Sequence, residues 1–345
     1  MKILVSGYHN PLYLTIVEYI ENGVKLTGND LIAFDDHQFI FPGRVRKYLP
    51  FLNSWDLKNV NKKLHLLAVE KKPDLVLVTQ GFLVLKETVK KIKQLNIPIV
   101  MWVIDAPLNF TNILDAAPYY DFIFCGGTEA IEIFKDQNFK NIEWLPFACD
   151  QDLQHLQTYN DQREVLSKDV VFVGSHYSSR EHTLSKLKLD DYDLGIWGSG
   201  WDKVSADSPL NKLIQKTHTK PEEWIRLYNQ SKIILVNHYQ ENKEIPVYQA
   251  SPKIYEALAC GGFVICDNQK DVRTLFIDGE HLVIVKNIEE LNEKIDYYLT
   301  HDIERQMISE NGRKEVLSKH TYTHRIKKLL ETLQTEGILQ HNSLH

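Results

Sequence analysis

The feature that most limits the fold is a cadence. Short apolar runs recur along the chain, and a stretch of helix length separates each from the next. In the first 150 residues the runs are Lys2–Ser6, Asp30–Phe34, Leu75–Thr79, Ile99–Ile104, Phe122–Cys125 and Ile142–Leu145. Runs this apolar belong to strands covered on both faces. Strands and helices in alternation pair in parallel through helical crossovers, so a doubly wound α/β sheet is expected. The segment His37–Leu52 holds Pro42-Gly43 with Arg44, Arg46 and Lys47, and reads as a loop before a helix beginning at Leu57. Residues Asp150–Ser167 are polar without a sustained apolar period, the pattern of a linker. The cadence then restarts with Asp169–Val173, Tyr192–Trp197, Ser231–Asn237, Phe263–Cys266 and His281–Val285. Two similar α/β halves follow from this, with a ligand expected in the cleft between them.

Open parallel sheets bind ligands beyond the carboxyl ends of their strands, so the residues at those ends are the candidates for function. In the first half they include His9, after the first strand, and Asp105, where the apolar run Met101–Ile104 gives out. A carboxylate at the end of an apolar strand is paired or working; capping of the turn before Pro107 is the plainer alternative. In the second half the corners supply Gly174-Ser175, Arg180, Gly198-Ser199-Gly200, Asn237 and the stretch Ser251–Asn268. That stretch, SPKIYEALACGGFVICDN, reads as a helix, a glycine stop and a buried strand. Ser251 caps the helix and Pro252 suits its first turn. The amide-rich, partly positive start of a helix attracts phosphate, and Lys253 adds a full charge there. Glu256, one turn in, can accept hydrogen bonds from vicinal hydroxyls as an acidic residue does for ribose in dinucleotide folds. Ordinary capping chemistry and a solvated lysine account for the same residues singly, so the reading depends on the corners converging.

Composition narrows the class. With 43% hydrophobic and 25% charged residues over 345 positions, the chain is an ordinary two-domain soluble protein. A net charge of -6 argues against a general nucleic-acid or membrane-surface binder, although a local basic groove can hide within it. Four cysteines without paired metal-ligand spacing suit a reduced compartment. No apolar stretch approaches the ~20 residues that cross a bilayer, and the first residues run straight into a strand. A cytoplasmic protein with no stable membrane insertion is expected. A complete dinucleotide fingerprint, a phosphate-loop lysine motif and a nucleophile elbow are all missing from the sequence, which weakens dehydrogenase, kinase and hydrolase readings.

These residues resemble the glycosyltransferases of the GT-B fold, most closely the spore-maturation CgeB-like group. The resemblance is carried by Asp169–Ser175 with Arg180, by Ile196–Trp201, by Ser251–Gly262 and by His320–Arg325. Met101–Pro107 and Trp144–Ala148 are similar to that group as well, and residues 1–95 follow it in pattern alone. It implies two Rossmann-like domains: an acceptor-side domain over 1–155 and a nucleotide-sugar domain over 156–320. Residues 321–345 would form a helix and tail crossing back to the first. It implies a nucleotide-diphosphate sugar as donor substrate, no cofactor and no metal; it does not identify the acceptor, for which a protein, a glycan and a modified nucleic acid base all stay open. On that pattern Glu256 holds the ribose. Lys253, Arg180 and Ser251 face the diphosphate, with Gly174, Ser175, Gly198 and Asn237 beside them. Asp105 and His9 are the catalytic candidates of the facing domain. Many retaining relatives place a second glutamate eight positions before the one matching Glu256; here that position is Tyr248, so the sugar-contacting role is unassigned. A GT-B epimerase acting on the nucleotide-sugar and a non-catalytic two-domain binding protein are the alternatives.

Overall fold

Twelve strands among the described residues form two six-stranded sheets, and every pairing in both is parallel. This computed structural model describes residues 1–345 except 12, 105–110, 155–166, 218–219, 239–246 and 341–345. The chain divides into two units, Met1–Pro146 with Tyr322–His345, and Phe147–Thr321.

The first unit runs β1 (Lys2–Gly7), α1 (Ile16–Leu26), β2 (Asp30–Asp35), α2 (Gly43–Tyr48), α3 (Pro50–Lys71) and β3 (Leu75–Thr79). It continues through α4 (Lys86–Lys93), β4 (Ile99–Val103), α5 (Thr111–Ala116), β5 (Phe122–Cys125), α6 (Thr128–Asp136) and β6 (Ile142–Trp144). The strand order is β2-β1-β3-β4-β5-β6. Central β3 and β4 are buried throughout, as the continuous apolar runs require, while the edge strand β6 is half-exposed. Within the segment expected to be a loop, Gly43–Tyr48 folds as α2 and Pro50–Leu52 opens α3, which starts seven residues ahead of the expected Leu57. Pro50 occupies the first turn of α3, where its fixed φ is already helical. Arg46 ties the two helices: Nε donates to Phe41 O at 3.0 Å, Nη1 to Asn53 Oδ1 at 3.1 Å, and the guanidinium lies 3.8 Å from the buried Asp56 carboxylate.

The second unit runs β7 (Val170–Val173), α7 (Ser178–Ser185), β8 (Leu194–Trp197), β9 (Ile214–Lys216), α8 (Pro221–Gln230) and β10 (Ile233–Val236). Then come α9 (Pro252–Ala259), β11 (Val264–Asp267), α10 (Lys270–Leu275), β12 (Val283–Val285), α11 (Ile288–Thr300) and α12 (Asp302–Lys319). The order is β12-β11-β10-β7-β8-β9. The sheet grows outward from β7 through β8 to β9, then restarts on the other side of β7 with β10. The switch point therefore lies between β7 and β10. The short, polar edge strand β9 carries too little apolar signal to be read from sequence.

The last helix, α13 (Tyr322–Thr335), belongs to the first unit. It packs on α1 at Gly23, where an added Cβ would lie 3.0 Å from the Tyr322 backbone. Tyr322 sits 6.2 Å, ring to ring, from both Tyr19 and Trp102, and Arg325 Nε donates to Pro146 O at 2.8 Å. Where the chain passes between units, Cys149 N donates to His320 O at 3.0 Å. All four cysteines are free and buried.

Candidate active site

Ligand crevices open where a parallel sheet reverses its strand order, and in the second unit that place is occupied by one arginine. Arg180, in the first turn of α7, donates through Nε to Asn237 O at 3.0 Å and through Nη1 to Ser175 O at 3.0 Å. Its two acceptors follow β10 and β7, so the guanidinium spans the switch point itself. Rings from Tyr177 and Phe172 lie 5.1 and 5.7 Å from its Cζ. Ser175 Oγ is 2.9 Å from Ser199 Oγ, which joins the corner after β7 to the corner after β8. Gly198 makes that approach workable: at φ +140°, a Cβ there would lie 2.0 Å from Gly174 O. Trp201 Nε1 holds the same carbonyl at 2.8 Å.

From Asn237 the network continues to α9. The next residue, His238, is buried, and its Nε2 accepts from Ser251 N–H at 2.9 Å. With Nε2 accepting, the ring proton resides on Nδ1 and is donated to Asp267 Oδ1 at 2.6 Å. The same oxygen takes His238 N–H at 2.8 Å, and Gln269 Nε2 donates to Oδ2 at 2.8 Å. Burial opposes ionisation of Asp267, but the His238 ring, its backbone N–H and Gln269 outweigh that and hold the carboxyl at about 2. A carboxylate lowered this way stabilises the fold above its ordinary pKa and loses that stabilisation as pH falls through the folded value. Asp267→Asn should therefore cost about 2 kcal/mol at neutral pH. Its unfolding free energy should converge on that of the wild type between about pH 4 and pH 2. Urea titrations at a series of acid pH values measure the difference directly, and a constant gap across that window would refute the assignment.

Ser251 caps α9, its Oγ accepting from Lys253 N–H at 3.3 Å. The Ser251 amide is spent on His238, so what the mouth of α9 offers a ligand is chiefly side-chain charge. Lys253 Nζ, 5.0 Å from the Trp224 ring, pairs with Glu256 Oε2 at 2.8 Å. The two are unequally placed: the lysine side chain is 30% exposed and the glutamate 6%. A buried carboxylate with a half-buried cation is a pair that opens on the cation's side. A cavity of about 220 Å³ at the carboxyl ends of β10, β11 and β12 is lined by Thr183, Asn237, Asp267, Val285 and Leu291. The Asn237 Oδ1 is buried without a hydrogen-bond partner among the described residues. A buried acceptor left open is costly and suits a ligand that brings a donor.

The eight residues read from sequence as donor-binding, Gly174, Ser175, Arg180, Gly198, Asn237, Ser251, Lys253 and Glu256, thus lie along one connected edge of the second sheet. His238 and Asp267 complete it and were not anticipated. They are 29 residues apart and meet through the pairing of β10 with β11, where Val236 lies opposite Cys266. Tyr248, in the position of the relatives' glutamate, gives its carbonyl to Asp271 N–H at 3.0 Å and its ring to Lys270 Nζ at 4.4 Å. Asp105 lies outside the described residues. His9 belongs to the first unit, near that sheet's own switch point between β1 and β3. Its Nε2 meets Glu21 Oε1 at 2.9 Å and its Nδ1 meets Gly7 O at 3.1 Å. Burial alone would lower the His9 pKa; the Glu21 carboxylate outweighs it and holds the ring above its ordinary value. Among the described residues, Asp35, Asp36 and His37 are grouped closely enough to hold a metal ion. Their atoms are engaged with one another, His37 Nδ1 with Asp36 at 2.6 Å and His37 N–H with Asp35 at 3.0 Å.

Residues 180–331 match the model of a family described as glycosyl transferase-like. The chain is similar to the spore protein CgeB of Bacillus subtilis, 19% identical over 272 residues that cover 74% of this chain and 82% of that one. Among solved structures it superposes on Anabaena HepE in complex with UDP and glucose, with a TM-score of 0.66 at 14% identity over 97% of this chain and 100% of the other. It superposes also on the sucrose-phosphate synthase of Thermosynechococcus elongatus, with a TM-score of 0.69 at 12% identity over 98% and 99%. The fold is that of the GT-B glycosyltransferases across nearly the whole chain, and the expected similarity to CgeB covers 74% of it.

Proposed function

We propose that this GT-B-folded, glycosyltransferase-like chain transfers a sugar from a nucleotide-diphosphate donor to an acceptor, without a metal ion. The observation that carries the reading is the connected edge from Arg180 through Asn237, His238 and Ser251 to the Lys253–Glu256 pair. Two cations and a carboxylate stand there in the order that a diphosphate followed by a ribose requires. On donor binding the pair exchanges partners. Lys253 swings from Glu256 to the diphosphate, and Glu256 takes the vicinal ribose hydroxyls in its place. Charge on the departing diphosphate would then be met by Lys253 and Arg180, cations already positioned before the bond breaks. Uracil is the favoured donor base, since HepE of the same fold was solved with UDP and glucose. A retaining outcome rests on the fold alone.

The acceptor side falls to the first unit. A cavity of about 560 Å³ there is lined by His37, Phe39, Arg46, Asn53, Phe82 and Asn112, beyond the carboxyl ends of β2, β3 and β4. Rings beside amide and cationic donors suit a sugar-bearing acceptor. The test is incubation with UDP-, GDP- and TDP-sugars and assay of free nucleoside diphosphate. Slow release with one donor is expected even without acceptor. A protein that is thermally stabilised by a nucleotide-sugar yet releases nothing would be a binding protein instead.

A further inference from the structure

The helix α3 presents two apolar faces, and only one of them is covered. Val60, Leu64 and Ala68 pack inward as part of the first core. On the opposite side Phe51, Trp55, Lys58, Lys62, Leu66 and Val69 follow one another at steps of three and four, which places them in one stripe along about 27 Å of helix. The four apolar members are 65%, 51%, 52% and 42% exposed. Tyr48, closing α2, is 80% exposed beside the start of that stripe. Charge is as one-sided as exposure. Between Ile40 and Val69 stand Arg44, Arg46, Lys47, Lys58, Lys62 and Lys63 against a single acid, Asp56, which is fully buried. A chain of net charge -6 thus carries a strongly positive apolar stripe.

We propose that this face, α2 with the outer side of α3, docks on the surface of an anionic lipid bilayer. A helix with aromatic and aliphatic side chains on the exposed side, interleaved with lysines, lies in the headgroup plane, rings at the boundary and ammonium groups at the phosphates. A second copy of the chain fits poorly, because self-pairing of the stripe would bring its cations together with one exposed acid, Glu70 at the far end and already paired with Lys71, to receive them. Nucleic acid would satisfy the cations and leave Leu66 and Val69 nothing to bury against. No helix among the described residues is long and apolar enough to span a membrane, so the contact is peripheral. It holds the first unit, and the acceptor cavity proposed for it, at a lipid surface.

The experiment is flotation of the full chain with vesicles of phosphatidylcholine alone and with added phosphatidylglycerol. Binding is expected only to the anionic vesicles, weakening as salt is raised. Substituting Arg44, Lys47, Lys58 and Lys62 together by serine should weaken it about 100-fold or more. Arg46 is left in place because it ties α2 to α3. Tyr48→Ser with Phe51→Ser, both at exposed positions, should weaken it about 10-fold or more. Brominated lipid should quench fluorescence in the wild type and less in Trp55→Phe. Failure to float with anionic vesicles overturns the proposal, as does flotation indifferent to both sets of substitutions. So does a lipid-free dimer that the Tyr48/Phe51 variant abolishes, which would assign the face to a second copy. None of these readouts needs the donor, so the transferase reading stands or falls separately.

Discussion

Lys253→Ala is expected to lower release of nucleoside diphosphate from the donor about 100- to 1000-fold, the usual cost of removing one positioned group that meets developing charge. The reason is geometric. Lys253 stands at the mouth of α9 with its Nζ 2.8 Å from Glu256, and the Ser251 amide beside it is already committed to His238. The remaining backbone donors of the first turn are capped by Ser251, so the lysine is the group best able to follow charge onto a leaving diphosphate. Losing it also strips the buried Glu256 of a partner, which costs about 1–3 kcal/mol. The assay must therefore be run well below the melting temperature of the variant. Glu256→Gln separates the roles. The amide oxygen keeps a contact to Lys253 while the carboxylate's grip on ribose weakens, so KM for the donor should rise more than kcat falls. Donor turnover in Lys253→Ala at the wild-type rate would remove the site assigned here.

What the sequence disclosed and withheld follows from how far each signal reaches along the chain. The central strands announce themselves because burial on both faces makes them apolar end to end, as in Leu75–Thr79 and Ile99–Val103. Edge strand β9 needs apolar character on neither face and reads as loop. Ser251, Lys253 and Glu256 were legible because they share one helix start, where cap, charge and spacing fall within six residues. The His238–Asp267 pair was not, since it is created by the register of β10 against β11 and by nothing local. A rule could have found it: in adjacent parallel strands, the residues at or just past each carboxyl end are neighbours. The uncovered side of α3 escaped for a different reason. From Leu57 to Lys71 the chain reads as an ordinary amphipathic helix, which accounts for its inward face and leaves Phe51 and Trp55, ahead of it, outside any helix.

The largest effect on stability is expected at Gly198, and it tests how tightly the donor corner is built. Gly198→Ala places a Cβ 2.0 Å from Gly174 O and 2.5 Å from Gly174 C. Backbone, not a flexible side chain, stands in the way, and that backbone is pinned from several directions. Gly174 N–H donates to Trp197 O at 2.8 Å, Gly198 N–H to Lys216 O at 3.0 Å, and Trp201 Nε1 to Gly174 O at 2.8 Å. Relief requires β7 and β8 to part at their carboxyl ends or the φ of +140° to be abandoned, and either breaks those bonds. A cost of about 3–5 kcal/mol follows, or a fall of roughly 10 °C in the melting temperature. Gly279→Ala is the control within the same unit: its φ is +74° but nothing lies within 4 Å of the added methyl, so it should cost only about 1 kcal/mol. The difference between the two isolates the contact from the dihedral. Because Ser175 and Arg180 hang from the same corner, donor binding in Gly198→Ala should fail even below its melting temperature, while Gly279→Ala binds as the wild type does. Equal melting temperatures for the two variants would mean that the corners after β7 and β8 give way easily, and a corner that gives way cannot hold Arg180 across the switch point.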